Sequence, residues 1–220
     1  MNSDGWPDLL VAADLRTSRV FLNDRGRGWI EATDRAVITD KNGMGAAVGD
    51  YDNDGWLDLF HTNGWFDYGT DRSKLFMNGG GRFRERAERH GIIDEGSGRA
   101  VVCFDYDRDG DTDVLVGNHN DRPRLYRNDG GNSRSFLDVA LVDDGPNTAG
   151  VGARVYVTAN GDTQMREMRC GSNYVSQNPT EAHFGLGDAL SARVRIVWPD
   201  GEVQRLGRVG ANQLLTVERS

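Results

Sequence analysis

The chain has 220 residues, 29 of them glycine, and a formal net charge of −8. This length suits one large all-β domain or two small ones, and glycine-rich turns between short apolar runs favour sheet over helix. The arginines are scattered along the chain, which argues against a nucleic-acid partner. The 220 residues contain no segment with the pattern of a signal peptide and no apolar run long enough to span a membrane.

An acidic motif, D-x-D-x-D-G-x-x-D, occurs three times along the chain. The first copy is shortened: Asn2, Asp4 and Asp8 are present, but the slot for its first aspartate falls before the first residue. The other two copies are intact and span residues 50–58 and 105–113. The three loops hold eleven carboxylates, whose removal would change the net charge from −8 to +3. The acidity is therefore concentrated in these loops rather than spread over the surface.

The spacing of the aspartates predicts calcium binding. Four carboxylates within nine residues repel one another unless a cation neutralises them, and oxygen ligands at alternate positions suit Ca²⁺. Glycine at position 6 allows the turn that wraps the chain around the ion. The predicted ligands, with backbone carbonyls at position 7, are Asp50, Asp52, Asp54, Trp56 and Asp58 in one loop and Asp105, Asp107, Asp109, Asp111 and Asp113 in the other. Asn2, Asp4 and Asp8 make a weaker third site. The alternative is a set of solvated turns that bind nothing.

The intact loops do not fit the EF-hand. That loop needs a glutamate at position 12 and a helix on each side. Position 12 is occupied by His61 in one copy and Val116 in the other. The flanking segments are short apolar runs bounded by glycine and asparagine, which are typical of strands. Each loop is therefore predicted to join two antiparallel strands.

The acidic loops belong to a larger repeat. Their last aspartates are 50 and then 55 residues apart, a period typical of repeat architectures. Alternating strands that end in an Asn-led turn follow each loop, at residues 20–24, 75–79 and 125–129, and further strands follow at 28–32 and 82–87. Four short strands per unit, with the acidic loop between the first and the second, are typical of a propeller blade.

The segment from Gly43 to Asp58, followed by Leu-Phe-x-Asn-x-Gly and Phe-x-Glu, resembles the FG-GAP/VCBS repeat. The resemblance implies a blade of an integrin-α-type β-propeller whose acidic loop binds Ca²⁺. It assigns residues 1–133 to a partial propeller of about three four-stranded blades. Propellers of this family resemble seven-bladed rings, and the first unit lacks its first strand. We therefore expect that further blades and a signal peptide precede this sequence.

The acidic repeat stops near residue 134, and the remaining segment, 134–220, is predicted to form a small β-sandwich-like domain. Alternating strands are predicted at 137–142, 153–158, 163–168, 193–198 and 214–218. Ordered motifs such as His183-Phe-Gly-Leu-Gly and Val197-Trp-Pro-Asp-Gly resemble the ASPIC/UnbV domain. That domain is found after FG-GAP/VCBS repeats in cartilage-acidic-protein-like and many bacterial secreted proteins.

Several single residues have modest structural interpretations. Cys103 is predicted to be a buried thiol rather than the disulfide partner of Cys170. His183 is predicted to be a structural histidine. Arginines on the C-terminal strands, namely Arg154, Arg166 and Arg169, are predicted to be solvated or paired charges, and Trp198 is predicted to pack at the end of a strand.

The resemblance implies a calcium-stabilised extracellular or periplasmic module, at the cell surface, that binds a glycan or an extracellular protein. A long aromatic segment with Trp65, Phe66 and Tyr68 is a candidate partner contact, with packing onto a neighbouring unit as its alternative. The sequence holds no nucleophile–base motif, so we expect no catalysis. Two alternatives stay open: an assembly protein that self-associates through blade edges, and an accessory module of a polysaccharide-active enzyme.

Overall fold

The computed structural model describes residues 1–35, 38, 41–64, 71–130 and 133–220. Within these ranges the chain is almost entirely β-structure, arranged in five small sheets that do not close on themselves. A turn of 3-10 helix, Glu88–His90, lies between the second and third sheets. No helix in the described ranges has the length and apolarity needed to cross a membrane.

The first three sheets follow one another along the chain, and neighbouring strands in each are antiparallel. The first sheet comprises β1 (Leu9–Val11), β2 (Arg19–Asn23) and β3 (Trp29–Glu31). The second comprises β4 (Gly43–Gly49), β5 (Asp58–Asn63), β6 (Lys74–Asn78) and β7 (Phe83–Glu85). The third comprises β8 (Gly98–Phe104), β9 (Asp113–Asn118) and β10 (Arg124–Tyr126).

The expected four strands per unit are present only in the second sheet. In the described residues the first sheet has no strand before its acidic loop, and the third has none after β10. The reason is the sequence itself, since the first motif is shortened and the third unit lacks the Phe-x-Glu segment. The acidic loops lie where they were predicted, between β4 and β5 and between β8 and β9.

The second and third sheets share an apolar core, in which β4 packs against β8. Its buried side chains include Ala47, Phe60, Leu75, Val101 and Val116. Two glycines permit this close approach. A Cβ on Gly45 would lie 2.7 Å from the carbonyl oxygen of Arg99, and one on Gly98 would lie 2.7 Å from the Cβ of Thr62. Glycine is therefore required where the two units meet.

The C-terminal segment forms two sheets with a common core. One has the order β14 (Glu181–Gly187), β11 (Ser135–Val142), β17 (Leu214–Glu218), with β11 and β17 parallel. The other has the order β13 (Asp162–Glu167), β12 (Arg154–Ala159), β15 (Ser191–Val197), β16 (Val203–Gly210). Side chains from both sheets fill the space between them, including Leu137, Phe184, Val155, Ile196 and Trp198. Trp198 packs in this core, as predicted.

Two strands of this region, β14 and β16, were not predicted. β14 contains two glycines, and β16 contains two glycines and two arginines, which obscures the apolar alternation. The interpretation of the two cysteines is confirmed: Cys103 is buried, Cys170 is exposed, and both are free thiols.

Candidate metal centres

The acidic loops share one backbone conformation. Position 4 is in the left-handed region, with φ of 55° at Asn53 and 62° at Arg108, and the glycine at position 6 has φ of 93° at Gly55 and 96° at Gly110. The N-terminal loop repeats this pattern at residues 3 and 5, with φ of 56° and 87°. A side chain at position 6 would be strained in this region, so glycine is needed there.

Backbone amides fix the first and last aspartates of each loop. Asp50 accepts hydrogen bonds from the amides of Asp54 (3.1 Å) and Gly55 (2.8 Å), and Asp58 accepts from Tyr51 (3.0 Å) and Asn78 (2.7 Å). The later loop repeats these bonds at Asp105 (3.2 and 2.8 Å) and Asp113 (3.0 and 2.8 Å). These bonds orient the carboxylates before any ion is considered.

Three aspartates converge in each intact loop. Asp50, Asp52 and Asp58 each present a carboxylate oxygen within 4.8 Å of the others, and Asp105, Asp107 and Asp109 do the same. Of the eight side-chain carboxylates predicted as ligands in the intact loops, Asp54 and Asp113 lie outside these groups of three. The Oδ1 atom of Asp52 is buried and has no hydrogen-bond partner. An all-oxygen donor set with an unsatisfied buried carboxylate oxygen fits a hard divalent cation.

Burial makes the negative charge of these aspartates costly. It raises the pKa of Asp58 to about 8 and that of Asp54 to about 6, and neighbouring aspartates add to both shifts. Burial also raises the pKa values of Asp50, Asp105 and Asp113. A bound divalent cation would reverse this tendency, because it favours the ionised carboxylates.

The shortened N-terminal loop is organised differently. Asp8 accepts a hydrogen bond from the amide of Asn23 (2.9 Å) and pairs with the amino group of Met1 at 2.6 Å. Asp4 accepts from the amide of Trp6 (3.0 Å) and from the side chain of Asn2 (3.2 Å). Metal binding by Asn2, Asp4 and Asp8 stays a prediction.

The asparagine that follows each acidic hairpin links neighbouring sheets. Asn78 donates from its side-chain amide to the carbonyls of Leu57 (3.0 Å) and Met1 (3.2 Å). Asn128 donates in the same way to Thr112 (3.3 Å) and Tyr51 (2.7 Å). Each side chain therefore bonds its own loop and position 2 of the preceding loop. Sequence reasoning assigned these asparagines only to a turn, although their recurrence after each strand was the available signal.

Replacing Asn128 by alanine is expected to destabilise the protein by about 1–2 kcal/mol, because the carbonyl of Tyr51 loses its donor between packed sheets. Chemical unfolding of the purified variant measures this loss. The matched control is Asn23→Ala, because the side-chain amide of Asn23 donates to the carbonyl of Pro7 in its own loop (3.1 Å) and, among the described residues, to no other sheet. Equal losses in the two variants would contradict a linking role for Asn128.

The C-terminal domain docks on the first intact loop. The imidazole of His183 contacts Asp138 through Nδ1 (2.8 Å) and the side-chain oxygen of Asn53 through Nε2 (2.7 Å). The side-chain amide of Asn53 donates to the carbonyl of Gly110 in the other loop (3.0 Å). His183 is therefore structural, as predicted, and its neighbours join both loops to the C-terminal domain.

Two ion pairs strengthen this junction. Arg134 pairs with the Oδ2 atom of Asp52 at 3.1 Å. Arg108 makes a bidentate ion pair with Glu181, with hydrogen bonds of 2.7 and 2.9 Å. Arg166 is half-buried against the ring of Phe184 rather than solvated or ion-paired as predicted, because it lies on the inward side of β13. Burial lowers the pKa of Arg166 to about 10, and the charge of Asp50 opposes this shift.

A C-terminal segment, residues 173–178, covers the outer edge of β8. Ser176 accepts from the amide of Val101 (3.2 Å) and donates to its carbonyl (2.8 Å), and Asn178 accepts from the amide of Cys103 (3.0 Å). Asn173 also donates to the carbonyl of Val101 (2.8 Å). Side chains thus satisfy a strand edge that no β-strand pairs within the described residues.

The predicted partner contacts Trp65, Phe66 and Tyr68 lie outside the described residues, and their role stays a prediction.

Comparison with known proteins agrees with both halves of this description. Residues 1–61 match the model of the FG-GAP-like repeat, and residues 143–220 match that of the ASPIC and UnbV domain. The two matched regions are the FG-GAP-like repeat and the ASPIC/UnbV domain that the sequence motifs predicted. It is similar to cartilage acidic protein 1 of Mus musculus, with 26% identity over 214 residues, and to that of Homo sapiens, with 26% identity over 216 residues. Each match covers 92% of this chain but only 33% and 32% of the relatives, so the chain spans about a third of their length.

Proposed function

We propose that this chain is a calcium-stabilised extracellular module that binds a glycan or another extracellular protein and catalyses no reaction. The observation that carries the calcium assignment is the convergence of Asp50, Asp52 and Asp58, with a buried oxygen of Asp52 left without a hydrogen-bond partner. The equivalent convergence of Asp105, Asp107 and Asp109 supports a second ion. Residues Trp56 and Asp111 would add backbone carbonyls.

We further propose that the first three sheets are blades of a β-propeller. The support is the φ pattern shared by the three acidic loops, together with the asparagine link from the second and third sheets to the preceding loop. Repeats of this kind bury their faces only against neighbours. In such an array the ions would hold each hairpin in the shape that its neighbour contacts.

The extracellular location is proposed from the similarity to cartilage acidic protein 1, whose name places that protein in cartilage. It agrees with the chemistry of the loops, since extracellular calcium modules commonly have dissociation constants of about 10⁻⁴–10⁻³ M. A module with such affinities would be loaded outside cells and largely empty in the cytosol.

Calcium titration of the purified chain by calorimetry is expected to give two ions per chain. Asp52→Asn and Asp107→Asn should each remove one ion, because each retains the volume of the side chain but loses a charged ligand. The control is Asp144→Asn, which changes an exposed acidic residue outside the loops. Absence of binding at millimolar calcium, or an unchanged stoichiometry in both loop variants, would refute the proposal.

The alternative function, assembly with other chains, is favoured by one observation. The first sheet and its loops expose several large apolar side chains, namely Trp6, Leu9, Leu15, Trp29 and Ile30. Apolar groups gathered on one unit are typical of surfaces that another protein covers. Concentration-dependent sedimentation distinguishes this function, since a binding module would stay monomeric and an assembly protein would not.

A further inference from the structure

The outward face of the sheet formed by β13, β12, β15 and β16 carries a compact group of arginines. Arg193 and Arg195 lie two residues apart on β15, so their side chains point to the same side of the sheet. In the neighbouring strand, Arg205 pairs with Arg195 and Arg208 pairs with Arg193. We call these four residues the arginine face. The arginines are scattered in the sequence, but the β15–β16 hairpin brings them together.

A β-bulge creates part of this arrangement. The register shifts by one residue between Arg193 and Val194, so that Gly207 is the extra residue of β16. If β16 were a regular strand without this bulge, Arg208 would lie on the same side as Leu206 and point into the core between the two sheets, because side chains alternate along a strand. The bulge therefore turns a fourth guanidinium towards the same side as the others.

The arginine face is not neutralised by the protein. Among the described residues, no ion pair is made by Arg193, Arg195, Arg205 or Arg208. The acidic residues of the adjoining turn, Asp200 and Glu202, are held by Arg219 instead. Like charges placed directly opposite each other on neighbouring strands are unfavourable. A protein of net charge −8 thus maintains a concentrated positive surface at a cost to its own stability.

The geometry of this surface favours a linear polyanion. Residues two apart on a strand are separated by about 7 Å and paired residues by about 5 Å, which gives a flat array of guanidinium groups. Three of the four side chains are exposed, and the fourth, Arg195, lies flat over the ring of Tyr156 at 3.8 Å. Guanidinium groups bind oxyanions through paired hydrogen bonds, which a lysine cannot reproduce.

We propose that the arginine face binds a sulfated linear polysaccharide. The inference deepens the proposed function, since it names a partner class for an extracellular module, but it does not depend on the calcium loops. Nucleic acid fits less well for two reasons. The ring of Tyr156 is covered by Arg195 and cannot stack on a base. A four-stranded sheet is about 14 Å across, wider than the major groove of DNA at about 12 Å.

The test is binding of the full chain to heparin in buffer with calcium, compared with double-stranded DNA and polyglutamate. The variant R193Q/R205Q/R208Q is expected to bind heparin at least tenfold more weakly than the wild type. The slope of the logarithm of affinity against the logarithm of salt concentration should fall by about two to three, because fewer counterions are released. The charge-matched control is R82Q/R84Q/R89Q, which removes three exposed arginines from the repeat region and should bind as the wild type does.

The outcomes separate binding from folding and from the calcium proposal. The melting temperature of R193Q/R205Q/R208Q should equal or exceed that of the wild type, because like-charge pairs are removed. Equal heparin affinity in the two triple variants would overturn the proposal. Binding of DNA or polyglutamate as tight as that of heparin would also overturn it. If the wild type failed to bind heparin but still bound two calcium ions, the polysaccharide partner would be rejected and the metal sites would stand.

Discussion

Removing Ca²⁺ is expected to lower the melting temperature of this protein by about 10 °C or more. An ion present at about a hundred times its dissociation constant contributes about 2.7 kcal/mol, so two sites contribute about 5 kcal/mol. In a chain of this size 1 kcal/mol corresponds to about 2–4 °C. Thermal unfolding with excess calcium and with a chelator measures the difference. Addition of magnesium in place of calcium should restore little of it, because Mg²⁺ demands six ligands in a small octahedral shell.

The calcium effect is also expected to grow with pH. Burial raises the pKa of Asp58 to about 8 in the ion-free loop, from an ordinary value of 3.8. A raised carboxyl pKa favours the folded state at low pH, and this contribution is lost as the pH rises through about 8. The chelated protein should therefore lose stability from about pH 5 to pH 8, whereas the calcium-loaded protein should not. The gap between the two melting temperatures should widen over this range.

The double variant Asp52→Asn/Asp107→Asn provides the matched control for both experiments. Its melting temperature should respond weakly to calcium, because each loop has lost a charged ligand from its convergent group. Identical melting temperatures of the wild type in calcium and in chelator would contradict a stabilising role for the ions.

Replacing Gly185 by alanine is expected to destabilise the junction between the C-terminal domain and the first intact acidic loop. A Cβ at this position would lie 2.2 Å from the Oδ2 atom of Asp50 and 2.5 Å from the backbone of Asn53. Both neighbours are held by hydrogen bonds, so the strand β14 or the loop must shift. We expect a loss of about 3 kcal/mol, at the upper end of the range for overpacking.

The calcium affinity of the two loops provides a specific measurement for Gly185→Ala. The shift should weaken binding by the loop at residues 50–58 more than binding by the loop at 105–113, because the atoms nearest the new methyl group belong to Asp50 and Asn53 of the first of these loops. Gly207→Ala is the control, since a Cβ at Gly207 has no atom within 4 Å. If the Gly185→Ala protein had the melting temperature of the wild type and bound two ions with unchanged affinity, the tight contact between Gly185 and the loop at residues 50–58 would be contradicted.

Local features of the fold were predictable because each rests on a short sequence pattern. The alternation of apolar residues located most strands, and the D-x-D-x-D-G-x-x-D spacing placed the hairpin loops between β4 and β5 and between β8 and β9. The strands β14 and β16 escaped prediction. In β16 the alternation is interrupted by the bulge at Gly207, and in β14 glycines replace part of the apolar face.

Contacts between distant segments could not be predicted from these patterns. His183 joins Asn53 across 130 residues, and Asn128 joins Tyr51 across 77. No sequence pattern relates one partner to the other, because the chain geometry that brings them together depends on how whole sheets pack. The same reason explains why Arg166 was expected to be a solvated or paired charge and is half-buried against Phe184, and why four scattered arginines form one surface.

The segment at residues 173–178 has a consequence for how this β-rich chain avoids fibril formation. An unpaired strand edge is a template on which other strands polymerise. The amides of Val101 and Cys103 would offer such a template, yet serine and asparagine side chains occupy them. A side chain cannot extend a β-ladder. The C-terminal domain therefore blocks the addition of further strands at this edge of β8.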